Sequence, residues 1–293
     1  GNSIISIHGP SFTGNVIIND LYLYNNISPS TNTLLEFIDS DYPIMNRCFI
    51  YNNTLQDNLI ALWERSYAML SNIIITENSS TDVLHVSGIN TNPQLENIII
   101  AGNLGRALNS NGGNSYSLLF SNALIKDNSG GAGIINNGSV NLSNLSVIEN
   151  GELSEYDAEG FTITESGLLT IGESNIFSNG TALYNNNTSD IVSAENNYWG
   201  HSSGPYHPTQ NTSGQGDSLN FFTDIDPWLT EPNVDAPISP PTNVFKQASG
   251  NDIILVWDAN LESDVAGYKI HYGDYTGYSY ANNIDVGNVA SYT

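Results

Sequence analysis

The chain has 293 residues, room for about two domains. Six Lys plus Arg stand against thirty Asp plus Glu, a formal charge of −24, which excludes nucleic acid because phosphate binding needs clustered cations to displace counterions. No run of about eighteen apolar residues is present to span a membrane, and the single Cys48 rules out an internal disulfide and a CxxC zinc site.

The sequence opens directly in β-rich text, "GNSIISIHG", without a secretion signal, and so reads as a piece of a larger polypeptide. Asn supplies 42 of the 293 residues, a bias that signals disorder unless the Asn residues recur with a period. They do recur, in "IINDLYLYN" (17–25), "IMNRCFIYN" (44–52), "LSNIIITEN" (70–78), "LENIIIAGN" (95–103), "FSNALIKDN" (120–128) and "LSNLSVIEN" (142–150), then more faintly in "IGESNIFSN" (171–179) and "VSAENNYWG" (192–200). The first Asn of each copy is Asn19, Asn46, Asn72, Asn97, Asn122 or Asn144, followed in the same column by Glu173 and Ala194, at spacings of 27, 26, 25, 25, 22, 29 and 21.

Two apolar columns flank that position. Ile17, Ile44, Leu70, Leu95, Phe120, Leu142, Ile171 and Val192 stand two residues before it, and Tyr22, Phe49, Ile75, Ile100, Ile125, Val147 and Ile176 three residues after it. The columns are five apart, an odd number, so a single strand of period two cannot turn both inward. The backbone must bend at or beside the Asn, which tolerates left-handed angles. Stacked bends would then carry an amide ladder up the interior.

A further strand follows in each unit, "TLLEF" (33–37), "LIALW" (59–63), "VLHV" (83–86), "GRAL" (105–108), "GAGII" (131–135), "FTIT" (161–164) and "TALY" (181–184). Three short strands per unit of about 25 residues give an all-β parallel solenoid of about eight coils. The repeat resembles the parallel β-helix of the pectate-lyase-like superfold, and the resemblance covers residues 1–200. It implies a right-handed helix, and it carries no single activity, since that superfold hosts lyases, hydrolases and adhesins.

A solenoid must hide its last strand edge. "NNYWGHSSGPYHP" and "GQGDSLNFFTDIDPWL" read as that cap over 201–230, built on Tyr198, Trp199, Gly200, Gly204, Pro205, Asp217, Pro227 and Trp228. The stretch resembles the "NNYWG…GP…GD…PWL" ending that follows β-helix repeats in secreted and surface bacterial proteins. His201 and His207, six apart in a Pro-broken loop, do not fit a zinc motif. Residues 231–240 are Pro-rich and read as a linker. Residues 241–293 alternate apolar and polar positions around Trp257 and Tyr268 and resemble the first half of a fibronectin type III domain, a partial β-sandwich.

Lyase chemistry would need a basic residue and a cation for the uronate, and the solenoid offers only Arg47, Arg65, Arg106 and Lys126, of which Arg47 and Lys126 sit in different columns three coils apart. His85 stands alone on its strand. Asp39, Asp41, Glu155, Asp157 and Glu159 lie on acidic loops that would hold Ca²⁺ weakly, with no other cofactor expected. The expectation is therefore a secreted or cell-surface bacterial segment, a non-catalytic adhesion, carbohydrate-binding or display rod whose partner is a polysaccharide or another surface ligand. The alternative is a fragment of a polysaccharide lyase or glycoside hydrolase.

Overall fold

The structure is a computed structural model that describes residues 5–8, 16–28, 33–39, 42–64, 66–113, 116–151, 159–260, 262, 264–274 and 280–293. Asp41, Arg65, Glu155 and Asp157 lie outside the described residues. The chain divides into two compact units, Gly1–Pro237 and Ile238–Thr293.

The first unit is a parallel β-solenoid of about 6 turns, fewer than the eight copies of the motif. The end copies supply little strand. The first makes Ile17–Asn19 and Tyr22–Tyr24, and the last makes only Val192–Ser193 before the cap begins. Between them, Ile44–Tyr51, Met69–Thr76, Gln94–Ala101 and Ser117–Lys126 pair in parallel, one rung apart. Each bends once and so contributes to two faces.

The bend falls where the odd column spacing demands one. Asp20, Arg47, Asn72, Asn97, Asn122, Asn144, Glu173 and Asn196 all have φ between 51° and 58°. A left-handed residue costs an L-amino acid about 1 kcal/mol, and Asn least among the larger types. This column corrects the register in three copies. Asn46 pairs with Ser71, so Arg47 rather than Asn46 is the bend, and Asp20 rather than Asn19. A slip of one residue exchanges inside and outside. Met45 and Ile50 are therefore fully buried, while Ile17 is 59% exposed. In the eighth copy the slip is two, which preserves parity. Val192 stays buried, Trp199 takes the inward place above Ile176, and Gly200 lies above Phe177.

The predicted Asn column is also not the interior ladder. At a left-handed bend the side chain leaves the outer side, so Asn19 and Asn97 are exposed and Asn46, Asn72, Asn122 and Asn144 half-buried. Asn72 Nδ2 donates to Asn46 Oδ1 at 2.8 Å and Asn97 Nδ2 to Asn72 Oδ1 at 3.4 Å, a weak outer ladder. The interior ladder runs one corner further on, through Asn26, Asn53, Asn78, Asn103, Asn128, Asn150 and Asn179. Each Oδ1 from Asn53 onward accepts the main-chain N–H and the Nδ2 of the preceding member, as in Asn78 to Asn103 at 3.0 Å for both. Each Nδ2 from Asn53 onward also reaches two carbonyls, for Asn78 those of Ile50 and Thr76. Buried amides so satisfied add rigidity without a desolvation penalty.

The third face is formed by Leu35–Ile38, Ile60–Trp63, Ser79–Gly88 and Leu104–Gly112, and continues into Gly133–Ile148, Phe161–Gly172 and Thr181–Asn185. Leu35, Ile60, Leu84, Leu108, Phe161 and Leu183 fill the core beneath it. Each such side chain contributes about 2 kcal/mol by burial.

At the far end Trp199 is fully buried, with Leu219 and Ile225 in the same core. Gly204 has φ 76°, and a Cβ there would lie 2.6 Å from the Trp228 ring, so only glycine admits that indole. The ladder ends on Asp217, whose Oδ2 accepts Asn179 N at 2.9 Å and Nδ2 at 3.1 Å. The segment after Pro227, expected as a linker from residue 231, folds back along the solenoid as far as Pro237. There Asn233 and Asp235 bond to the side chains of Asn175 and Asn144.

The second unit is a small antiparallel β structure. Thr242–Ser249, Asp252–Asp258 and Ser291–Tyr292 form one sheet, and Tyr268–Tyr272 pairs with Asn282–Gly287 in another. Trp257 is its buried centre, edge-on to Tyr268 at 5.3 Å.

Candidate functional site on the third face

The alternation of the third face is broken at its leading corner. Val83 and Leu84 both face the core, 0% and 1% exposed. Two successive inward residues place Asp82 and His85 on the same outer side. Arg106 pairs with Asp82 one rung on, and Asn109 with His85.

These residues form one cluster. Asp82 is 2% exposed; its Oδ1 accepts Arg106 Nη1 at 3.0 Å and its Oδ2 accepts Asn109 Nδ2 at 2.8 Å, with His85 Nδ1 at 3.3 Å. Asn109 Oδ1 in turn accepts Asn136 Nδ2 at 3.2 Å. The chain of amides thus ends on a carboxylate, as the inner ladder ends on Asp217. The Trp63 indole lies against the His85 ring, centroids 4.6 Å apart. Beside the cluster, Asn137 Nδ2 donates to Asn111 Oδ1 at 2.9 Å and Ser87 Oγ to Asn111 O at 3.1 Å. One face therefore presents an indole, an imidazole, a guanidinium and a row of amides. With three donors on its oxygens, Asp82 is a clamp that fixes Arg106, His85 and Asn109, not a base open to substrate.

The other predicted positions are accounted for locally. Arg47 makes a two-pronged ion pair with Asp20, Nε–Oδ1 2.8 Å and Nη2–Oδ2 2.6 Å, which lowers the Asp20 pKa. Lys126 Nζ lies 3.3 Å from Glu149. Of the acidic-loop residues, Asp39 and Glu159 are described, at positions five rungs apart on the third face, about 24 Å. Glu159 Oε2 accepts Thr181 N at 2.9 Å. Among the described residues no three His, Cys, Asp or Glu side chains form a metal-binding group.

The cap histidines serve separate turns. His201 Nδ1 accepts Ser203 N, and His207 Nδ1 accepts the N–H groups of Thr209 and Gln210. His207 is 1% exposed, and burial lowers its pKa. Asp217 is pushed the other way, raised by burial against the opposing hydrogen bonds of Asn179. Cys48 is buried in the core, where desolvation raises its thiol pKa.

Sequence reading noted Arg106 and His85 separately and missed Asp82, Asn109 and Trp63. The available signal was the offset of 24 between Leu84 of "VLHV" and Leu108 of "RALN", which sets His85 beside Asn109 once the strands are stacked.

The fold and this face define a parallel β-solenoid with a polar, aromatic-edged surface. Comparison with protein-family models, with curated proteins and with solved structures gives no match.

Proposed function

We propose that the chain is a segment of a secreted or cell-surface bacterial protein in which the solenoid is a rigid binding rod and its third face holds a glycan. The solenoid is read as a right-handed β-helix of the pectate-lyase-like type, and the second unit as fibronectin type III-like. The observation that carries the reading is the Trp63–His85–Asp82–Arg106–Asn109 cluster beside the Asn111–Asn137 amides. Fixed amides and a guanidinium suit hydroxyl-rich ligands, and an indole offers apolar area to a sugar ring.

Charge favours binding over lyase chemistry. The three described cations of the solenoid, Arg47, Arg106 and Lys126, are each paired with a carboxylate. A uronate would meet no uncommitted positive charge among them, on a chain of net charge −24. The ligand is accordingly a neutral polysaccharide.

A glycan array of neutral and uronate polymers, with a parallel assay for released reducing ends and unsaturated products, tests this. Retention of neutral glycans without product is expected, weakened about tenfold or more by Trp63→Ala, the loss of about 1.4 kcal/mol. Turnover of any polymer, or no retention at all, would overturn the reading.

A further inference from the structure

The corner that leads from the third face into the next rung changes width along the rod. Asn111, Asn137 and Ser166 are register partners before it, and Leu118, Val140 and Leu169 after it. Between these points the chain advances seven residues in the first rung and three in each of the next two. The step from a wide corner to tight ones leaves a cleft of about 400 Å³, lined by Gly113, Asn137, Ser139, Ser166 and Leu168. Tyr116 closes its inner side. The ring lies across Gly112 and Gly138, where a Cβ would fall 2.0 and 2.2 Å from it, and its hydroxyl accepts Ser110 Oγ at 3.0 Å.

The cleft offers a fixed set of groups. Asn137 Nδ2 is committed to Asn111 Oδ1 at 2.9 Å, which leaves Asn137 Oδ1 as a held acceptor. The hydroxyls of Ser139 and Ser166 have no partner among the described residues. Leu168, the register partner of Ser139 one rung on, is 44% exposed. Among the described lining residues none is charged.

We propose that this cleft is a subsite for the acetamido group of an N-acetylated amino sugar, so that the glycan held on the third face contains N-acetylhexosamine. An acetamido group carries a donor N–H, an acceptor carbonyl and a methyl group. Asn137 Oδ1 accepts from the first, a serine hydroxyl donates to the second, and Leu168 covers the third. A hexose hydroxyl in the same place would leave the leucine wet, and the ammonium of a deacetylated sugar would meet no counter-charge. The inference rests on the glycan-binding reading, since Asn137 lies two rungs, about 10 Å, along the face from His85.

An array of neutral oligosaccharides in matched sets, differing only in an acetamido group, a hydroxyl or a free amine, tests the subsite on the full chain. The tetramers of β-1,4-linked N-acetylglucosamine, glucose and glucosamine form one such set. The acetylated members are expected to bind about tenfold more tightly than their hydroxyl partners, and the amines no better than the hydroxyl partners. Leu168→Ser, at an exposed position, should remove the preference and leave binding of the hydroxyl members unchanged. Equal binding across the sets, tightest binding of the amines, or a preference that survives Leu168→Ser would overturn the subsite and leave the glycan reading standing. No binding of any member would overturn both.

Discussion

Two columns of Asn climb this solenoid one corner apart, and they do different work. The outer column, Asn72, Asn97, Asn122 and Asn144, sits at the left-handed bend with its side chains half-buried or, at Asn97, exposed. The inner column, Asn78, Asn103, Asn128 and Asn150, is 0–4% exposed, and each Oδ1 takes two donors from the member before it. The outer residues are selected for a backbone angle and the inner ones for hydrogen bonding. An exposed amide can exchange its partner for water, whereas a buried one leaves its neighbours unpaired.

That contrast predicts the largest effect. Asn103→Ala strips acceptors from Asn78 N and Nδ2 and donors from Ile75 and Ala101, and should cost about 3 kcal/mol or more in urea unfolding. Asn97→Ala loses one long bond and some left-handed preference, and should cost about 1 kcal/mol. Equal losses would erase the distinction.

A smaller effect comes from the ladder's end. The amide dipoles all point their N–H groups toward Asp217, which favours a carboxylate, but its pKa is nonetheless raised, so burial wins. A carboxyl whose folded pKa lies above its unfolded value favours folding when protonated, and that contribution is lost as pH rises through the folded pKa. Asp217→Asn keeps an acceptor and removes the charge. It should be at least as stable as the parent at pH 7, with the gap closing as pH falls into the carboxylate range. A variant less stable at pH 7 would mean that the dipoles outweigh desolvation. His207 acts in the opposite sense. Its lowered pKa means that cap stability is lost as pH falls below the usual imidazole range, about 6.5.

The smallest expected effect tests the bends alone. Glu77 holds φ 56° before the inner ladder, where Gly102 stands one coil on. Glu77→Gly should raise stability by up to about 1 kcal/mol, since the left-handed cost exceeds the entropy of glycine.

Much of this fold was legible in the sequence, because stacked identical bends force a spacing near 25 and columns of one chemistry. The odd separation of the apolar columns located the bend to within one residue in the first seven copies and to within two in the eighth. Asp20 and Arg47 hid the register of the first two copies, since neither is the expected Asn, and the adjacent Asn19 and Asn46 drew the alignment to the wrong parity. The inner ladder was visible as the second Asn of the third to seventh copies, Asn78 to Asn179, and lies one residue past it in the first two, at Asn26 and Asn53, but periodicity alone does not tell which corner points inward. The third-face cluster was less legible still. It depends on the break in alternation at Val83–Leu84, which only packing imposes, and on strand stacking that brings Asp82 to Arg106.

The central claim is that the second Asn of the third to sixth units, not the first, is the buried spine of the rod. Hydrogen exchange of the side-chain amides, followed residue by residue by NMR, measures it directly. Protection of Asn78, Asn103, Asn128 and Asn150 well above that of Asn72, Asn97 and Asn122 is the predicted result. Equal protection of the two sets, or slower exchange in the second, would contradict it.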